Sequence, residues 1–348
     1  MKHTHLHTRL LALLLCCALV LPLSACGEAK STTQQIFAMD TVMDLTAYGK
    51  KADDGINAAI SIINSMDTLL DPENERSKTY EINHAMGSPV VVNEQIAKML
   101  RTALTVYERT NGAFDLTTYP LSKLWGFIDQ NYRVPSDAEI ERLLPCVDMR
   151  KVQLAATDDS ANSLVTMPAD MALSFGAVAK GCASEYAIQA MRAAGVTSGV
   201  VSLGGNVQTL GKKPDGSDWN IAIQDPNDTG SYLGYLTVGE TAVITSGSYQ
   251  RYFTEGGQKY HHILSPTTGR PVNNGLLAVT IVCEDGTLAD CLSTAMFVLG
   301  PQAALNYWRT YGGFEMLLVK TDGHVVLTNG LYGQFTPNGD SYVVDYAS

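Results

Sequence analysis

Between Ser246 and Pro271 the chain places two histidines, an arginine and several hydroxyls on backbone that glycine and proline bend sharply. The run is Ser246-Gly247-Ser248-Tyr249-Gln250-Arg251-Tyr252-Phe253, then Tyr260-His261-His262-Ile263-Leu264-Ser265-Pro266-Thr267-Thr268-Gly269-Arg270-Pro271. Two short strands around a Glu255-Gly256-Gly257 turn, followed by a tight loop, are expected from that pattern. Such a build suits a polar, phosphorylated ligand. A plain hairpin with a polar tip fits this segment equally well.

Three other places carry candidate chemistry. In Leu288-Ala289-Asp290-Cys291-Leu292-Ser293-Thr294-Ala295 an acid and a hydroxyl stand four residues apart, on one face of a helix. That pair can hold Mg²⁺, which keeps waters and completes its shell with substrate phosphate. Asp290 can equally cap a helix, with Thr294 bonding back to its own backbone. Ser174-Phe175-Gly176-Ala177-Val178-Ala179-Lys180-Gly181 leads small residues into a helix, whose free N–H groups attract phosphate and where Lys180 adds a charge. The spacing is not that of a Walker A loop, and close helix–sheet packing explains such residues too. Gly112-Ala113-Phe114-Asp115, continuing through Tyr119 to Trp125 and Phe127, sets aromatic surface beside a carboxylate. It suits stacking on a flat heterocycle, although aromatics at this spacing are more often core.

The elements that must position these residues follow from periodicity. Ile56, Ile60, Ile63, Met66 and Leu70 recur at helical spacing within Asp53–Leu70, and Ile96, Leu100, Leu104 and Tyr107 do so within Asn93–Asn111. A third helix is expected over Gly176–Ala194 and a fourth over Thr287–Leu299, closed by Gly300-Pro301. Strands are expected at Val200–Leu203, Trp219–Gln224, Leu233–Val238 and Val279–Cys283. No regular βαβ alternation appears. An α+β fold is expected, a single globular domain with a mixed or antiparallel sheet packed with helices.

Hydrophobic residues make up 45% of the 348 and charged residues 17%, the balance of a globular chain. A net charge of −11 argues against nucleic acid as a partner, which wants a basic face. At the start, Lys2 and Arg9 precede an apolar run from Leu10 to Leu23, too short for a good membrane span, which ends in the lipobox-like Leu23-Ser24-Ala25-Cys26. Residues 1–25 are expected to be a lipoprotein signal peptide, Cys26 the lipidated residue, 26–35 a tether and 36–348 the folded domain, held outside the cytoplasm on the bacterial cell membrane. Of seven cysteines, Cys146, Cys182, Cys283 and Cys291 remain for the domain without CxxC spacing and read as buried structural thiols.

Taken in order, Ala38-Met39-Asp40-Thr41, Gly112-Ala113-Phe114-Asp115, Gly176-Ala177-Val178-Ala179-Lys180-Gly181, Ser202-Leu203-Gly204-Gly205-Asn206, Thr245-Ser246-Gly247, His262-Ile263-Leu264-Ser265-Pro266-Thr267-Thr268-Gly269 and Ala289-Asp290-Cys291-Leu292-Ser293-Thr294-Ala295 resemble the motifs of bacterial FAD:protein FMN transferases. These are the ApbE-type flavin transferases, and the resemblance runs from about Ile36 to the helix after Thr287. It implies a T-fold-like architecture and transfer of FMN from FAD to a Ser/Thr hydroxyl of a partner protein, releasing AMP. Acceptors of the family are subunits of membrane electron-transfer complexes of the Rnf and sodium-pumping quinone reductase type.

By the same resemblance, Mg²⁺ would be held by the Ala177 carbonyl, the Asp290 carboxylate and the Thr294 hydroxyl. FAD would touch Met39, Ala113, Phe114, Asp115, Ser174, Lys180 and the Ile263 and Leu264 backbone. His262 stands at the family's characteristic histidine and is the candidate base for the acceptor hydroxyl. Several positions depart from the pattern. Asp40 stands where Gly is commonest, Ser174 and Ser265 where Asp is usual, Ser248 where Asp is frequent, and Leu116 where Pro or Ile often stands. Two alternatives keep the ligand and change the chemistry: an extracytoplasmic FAD-binding lipoprotein without transfer, or an FAD pyrophosphatase giving FMN and AMP.

Overall fold

The computed structural model describes residues 30–347; Cys26 and the expected signal peptide lie outside them. Nine strands make the main sheet: β1 (Ser31–Ala38), β2 (Thr41–Tyr48), β3 (Gly199–Leu203), β4 (Asn206–Leu210), β5 (Ala242–Gly247), β6 (Leu276–Cys283), β7 (Glu315–Lys320), β8 (His324–Thr328) and β9 (Val343–Ala347). They lie side by side in chain order. Each is antiparallel to the next except β8 and β9, which run parallel. Every other element is an excursion that leaves this meander and returns to the neighbouring place.

Side-chain alternation assigns the two faces of the sheet. Ile244, Val279, Ile281, Met316 and Leu318 point to one, and Val243, Ala278, Leu317 and Val319 to the other. Both are buried, so β7 reads Met-Leu-Leu-Val with no polar alternation. Helices cover the first face: α1 (Ala52–Leu70), α2 (Glu94–Arg109), α3 (Ala179–Ala193), α4 (Gly286–Leu299) and α5 (Pro301–Tyr311). A three-stranded sheet of Trp219–Gln224, Tyr232–Val238 and Phe335–Pro337 covers the second. The α+β single domain expected from the periodicity is what forms. Among the described residues no helix is long and apolar enough to cross a membrane.

Several boundaries differ from expectation, β6 for one beginning at Leu276 rather than Val279, and two of the differences have a visible cause. β1 starts at Ser31, inside the stretch assigned to the tether, because Ser31 through Ala38 pair residue by residue with Tyr48 through Thr41. Helix α3 starts at Ala179 rather than Gly176. The Phe175 carbonyl accepts from both Val178 and Ala179, at 2.9 and 2.8 Å, so Gly176–Val178 form a turn ahead of the helix.

Candidate active site

Helix α4 is capped by Asp285, whose carboxylate accepts the Leu288 amide at 2.8 Å. Asp290 is therefore not a cap, and it is buried, with 4% of its surface exposed. Its Oδ2 accepts the Gly181 N–H at 2.8 Å and its Oδ1 accepts Asn206 Nδ2 at 3.0 Å. Thr294, one turn on, does not bond back to its own helix. That role falls to Ser293, whose Oγ donates to the Asp290 carbonyl at 2.9 Å. Ser293 must then accept from Ser246 Oγ at 2.8 Å, and Ser246 from Thr294 Oγ1 at 3.1 Å. This order of protons spends the Thr294 hydrogen on Ser246 and leaves the Thr294 oxygen lone pairs open. Both α4 side chains thus face the ends of β4 and β5.

The third expected oxygen comes from the turn before α3. In a regular helix the Gly181 N–H would bond the carbonyl four residues earlier, that of Ala177. Here it goes to Asp290, and no backbone hydrogen bond to the Ala177 carbonyl is present among the described residues. The diversion depends on glycine at a close crossing. A Cβ on Gly181 would run into the Gly286 carbonyl and lie 2.6 Å from Asp290 Cβ; one on Gly286 would lie 2.7 Å from the Gly181 carbonyl. The small residues of this segment therefore serve close packing, and that packing delivers the Gly181 amide to Asp290.

A carboxylate, a hydroxyl with open lone pairs and a carbonyl without a backbone donor make an all-oxygen set of the kind Mg²⁺ takes. Among the described residues no group of three or more His, Cys, Asp or Glu could hold a metal. A cation here would rely on one carboxylate and neutral oxygens, with phosphate oxygens and water completing the shell.

The hairpin of Tyr252–Glu255 and Gln258–His261 pairs only with itself. One face rests on aromatics: Tyr132 and Tyr260 stack on Phe253, each with centroids 5.3 Å apart, and Trp125 lies 5.5 Å from Tyr260. Trp125 Nε1 also donates to the Gly269 carbonyl at 2.8 Å, fixing the Pro/Gly loop. At the hairpin's base the His262 N–H donates to the Arg251 carbonyl at 3.1 Å, and Nδ1 lies 3.2 Å from the same oxygen. Burial holds the His262 imidazole well below the usual histidine range, and the Arg251 and Lys180 charges push the same way. It is neutral at pH 7. His261 is engaged structurally, with Nε2 2.8 Å from the Val272 carbonyl and Nδ1 accepting the Ile263 amide at 3.3 Å.

The other expected contacts divide. Met39 and Asp40 form the β1–β2 turn with φ of 48° and 58°, the left-handed region where glycine is most at ease. Asp67 Oδ1 holds the Met39 amide at 2.7 Å. Ser174 is half-buried, its amide bonded to the Leu116 carbonyl at 3.1 Å, so it lies against the Ala113–Asp115 stretch. Phe114 is core, 1% exposed, which corrects the expectation of an open stacking surface there. The Asp115 carboxylate is likewise committed: Oδ1 accepts from the Thr117 amide and hydroxyl at 2.7 and 2.5 Å, and Oδ2 from the Met149 amide at 3.1 Å. Burial raises its pKa. In this segment only Ala113 keeps part of its surface open. The Ile263 amide and carbonyl also bond within the protein, and the Ile263 and Leu264 side chains are buried.

Sequence reasoning did not assign Asn206, Ser246 or Ser293 to the site, although the Gly204-Gly205-Asn206 and Thr245-Ser246-Gly247 runs were the available signals. Two clefts elsewhere, one lined by Asp218, Thr237 and Gln334 and one by Glu73, Tyr119 and Lys123, include none of the residues expected to touch FAD or the metal.

The comparisons agree on one family. A FAD:protein FMN transferase of Klebsiella pneumoniae (strain 342) is 30% identical over 285 residues, 81% of this chain and 87% of that protein. One of Treponema pallidum (strain Nichols) is 29% identical over 326 residues, 88% of this chain and 90% of that protein. The crystal structure of an ApbE protein from Thermotoga maritima superposes with a TM-score of 0.81 at 30% identity, over 88% of this chain and 99% of that one. The flavin transferase ApbE of Vibrio cholerae shares the fold, with a TM-score of 0.75 at 23% identity over 84% and 94% of the two chains. The sequence profile of the ApbE family matches residues 39–318, and the chain belongs to that family.

Proposed function

We propose that this chain is a Mg²⁺-dependent FAD:protein FMN transferase that flavinylates a Ser/Thr hydroxyl of a partner protein. The transferase activity is that of its relatives. The observation that carries the metal-dependent form is the Asp290–Gly181 bond, which binds α4 to α3 and leaves the Ala177 carbonyl open, beside one carboxylate and the Thr294 oxygen.

The acceptor oxygen attacks the phosphorus on the FMN side of FAD, the bond to the AMP phosphate breaks, and AMP departs. Both phosphates are anionic, so charge neutralisation matters more than covalent help from the protein. Asp290, Thr294 and the Ala177 carbonyl would hold Mg²⁺, which would supply that neutralisation. Lys180 adds a fixed positive charge from the first turn of α3. Neutral His262 takes the acceptor's proton at its free ring nitrogen, while the Arg251 carbonyl orients the ring. In the same reading Cys26 anchors the enzyme by lipid outside the cytoplasm, facing acceptor subunits of Rnf or sodium-pumping quinone reductase type.

The test is to incubate the mature domain with FAD, Mg²⁺ and a purified acceptor subunit. AMP is expected with equimolar flavin that stays on the acceptor in a denaturing gel. AMP with free FMN would identify a pyrophosphatase instead, and neither product would identify a binder.

A further inference from the structure

We infer that Arg251 is a further substrate-binding residue, whose guanidinium takes a phosphate oxygen of the FAD diphosphate at the His262 face. This rests on the transferase reading above and extends it to a residue outside the family motifs that carry that reading.

Among the described residues, ion pairs within 4 Å engage Lys98, Lys123, Arg133, Arg192 and Arg270, but neither Arg251 nor Lys180. The two unpaired cations both act on the His262 ring. Their charges reach that ring in a chain of net charge −11, where carboxylates are not scarce. Like charges gathered without an anion cost free energy, and bringing an anion between them relieves it. The charged and titratable groups around this point are few. Asp40, from the β1–β2 turn, and Tyr132, which stacks on Phe253, act on Arg251, while Arg251, His261 and Lys180 act on His262. Asp40 is farther from Arg251 than an ion pair, so it tempers the charge without using it up.

The backbone fixes where this cation sits. The Arg251 carbonyl is bonded by the His262 amide and faces Nδ1, so Arg251 and His262 form the last rung of the hairpin. A guanidinium there offers a planar pair of N–H donors suited to a phosphate, which a lysine matches only as a point charge. The hairpin thereby brings proton acceptor and anion holder to the reaction as one unit.

FAD affinity and the pH profile of transfer test the assignment in wild type, Arg251→Gln and Arg251→Lys. Arg251→Gln is expected to weaken FAD binding by about tenfold, the loss of one charge-assisted contact. It should also move the acidic limb of transfer to higher pH, because a positive neighbour no longer opposes protonation of His262. Arg251→Lys should restore the acidic limb, since the charge is kept, and recover part of the affinity, since a point charge replaces the planar donor pair. FAD binding by Arg251→Gln within twofold of wild type would overturn the proposal. So would Arg251→Lys as impaired as Arg251→Gln with an unmoved limb, since that pattern reports only a disturbed hairpin. Failure of the transferase reading looks different: wild type itself would release no AMP.

Discussion

At Asp290 the two oxygens that hold the architecture are also the proposed metal ligands. Asp290→Asn keeps the shape but turns one oxygen into an N–H donor, which must then face the Gly181 N–H or the Asn206 amide. We expect Mg²⁺-dependent transfer to fall by at least about a hundredfold, with Mn²⁺ binding followed by electron paramagnetic resonance losing its saturation. A variant that binds Mn²⁺ normally would argue against the carboxylate as ligand. His262 makes a prediction in pH. A proton on the ring removes its capacity as a base, and burial lowers the pKa. The competent form therefore persists as pH falls through 6.5 and is lost only below it, so kcat/KM should show an acidic limb under pH 6.5, absent from His262→Ala. A limb above pH 7 would contradict a half-buried imidazole whose protonation nearby positive charges oppose. Asp40 occupies a left-handed turn position, so Asp40→Gly should cost no stability and stand within about 1 kcal/mol of wild type. It should also tighten FAD, because a carboxylate that acts on Arg251 is removed.

Between elements, the crossing of α3 over α4 sets the site. Gly181→Ala drives a methyl into the Gly286 carbonyl, a backbone obstacle that cannot swing aside. We expect about 1–3 kcal/mol of lost stability in urea titrations and a transfer defect larger than that loss explains, because the Gly181 amide is carried away from Asp290. A second bond one turn further along holds the same register: Glu185 on α3 accepts the Thr287 hydroxyl at 2.8 Å and pairs with Lys98 of α2. The sequence made the elements legible, since the apolar spacings of α1 and α2 and the glycines of the hairpin are local signals. It also made Asp290 and Thr294 legible as a pair on one helix face. It could not decide between cap and ligand, because that depended on Asp285 and Ser293 taking the capping and back-bonding roles. Nor could it show Phe114 and Asp115 turned inward, the carboxylate being held by Thr117 and by Met149 far along the chain.

Across the whole molecule, the nine-stranded sheet separates two cores. The helical face holds α3, α4 and the proposed metal ligands, while the small three-stranded sheet closes the opposite face and contributes no residue to the site. Stability and activity should therefore come apart according to the face that is damaged. Leu236→Ala, on the far face and fully buried, should cost about 2–5 kcal/mol, the usual range for a Leu→Ala cavity. Below its melting temperature it should keep wild-type FAD affinity and transfer rate. Met296→Ala, equally buried but on α4 two residues past Thr294, opens a comparable cavity under the helix that carries the ligands. It should lose a similar amount of stability and, in addition, transfer rate and metal affinity at the same temperature. Denaturant titrations alongside the transfer assay measure both quantities. Equal activity losses in the two variants would mean that the sheet does not insulate the site from its far side.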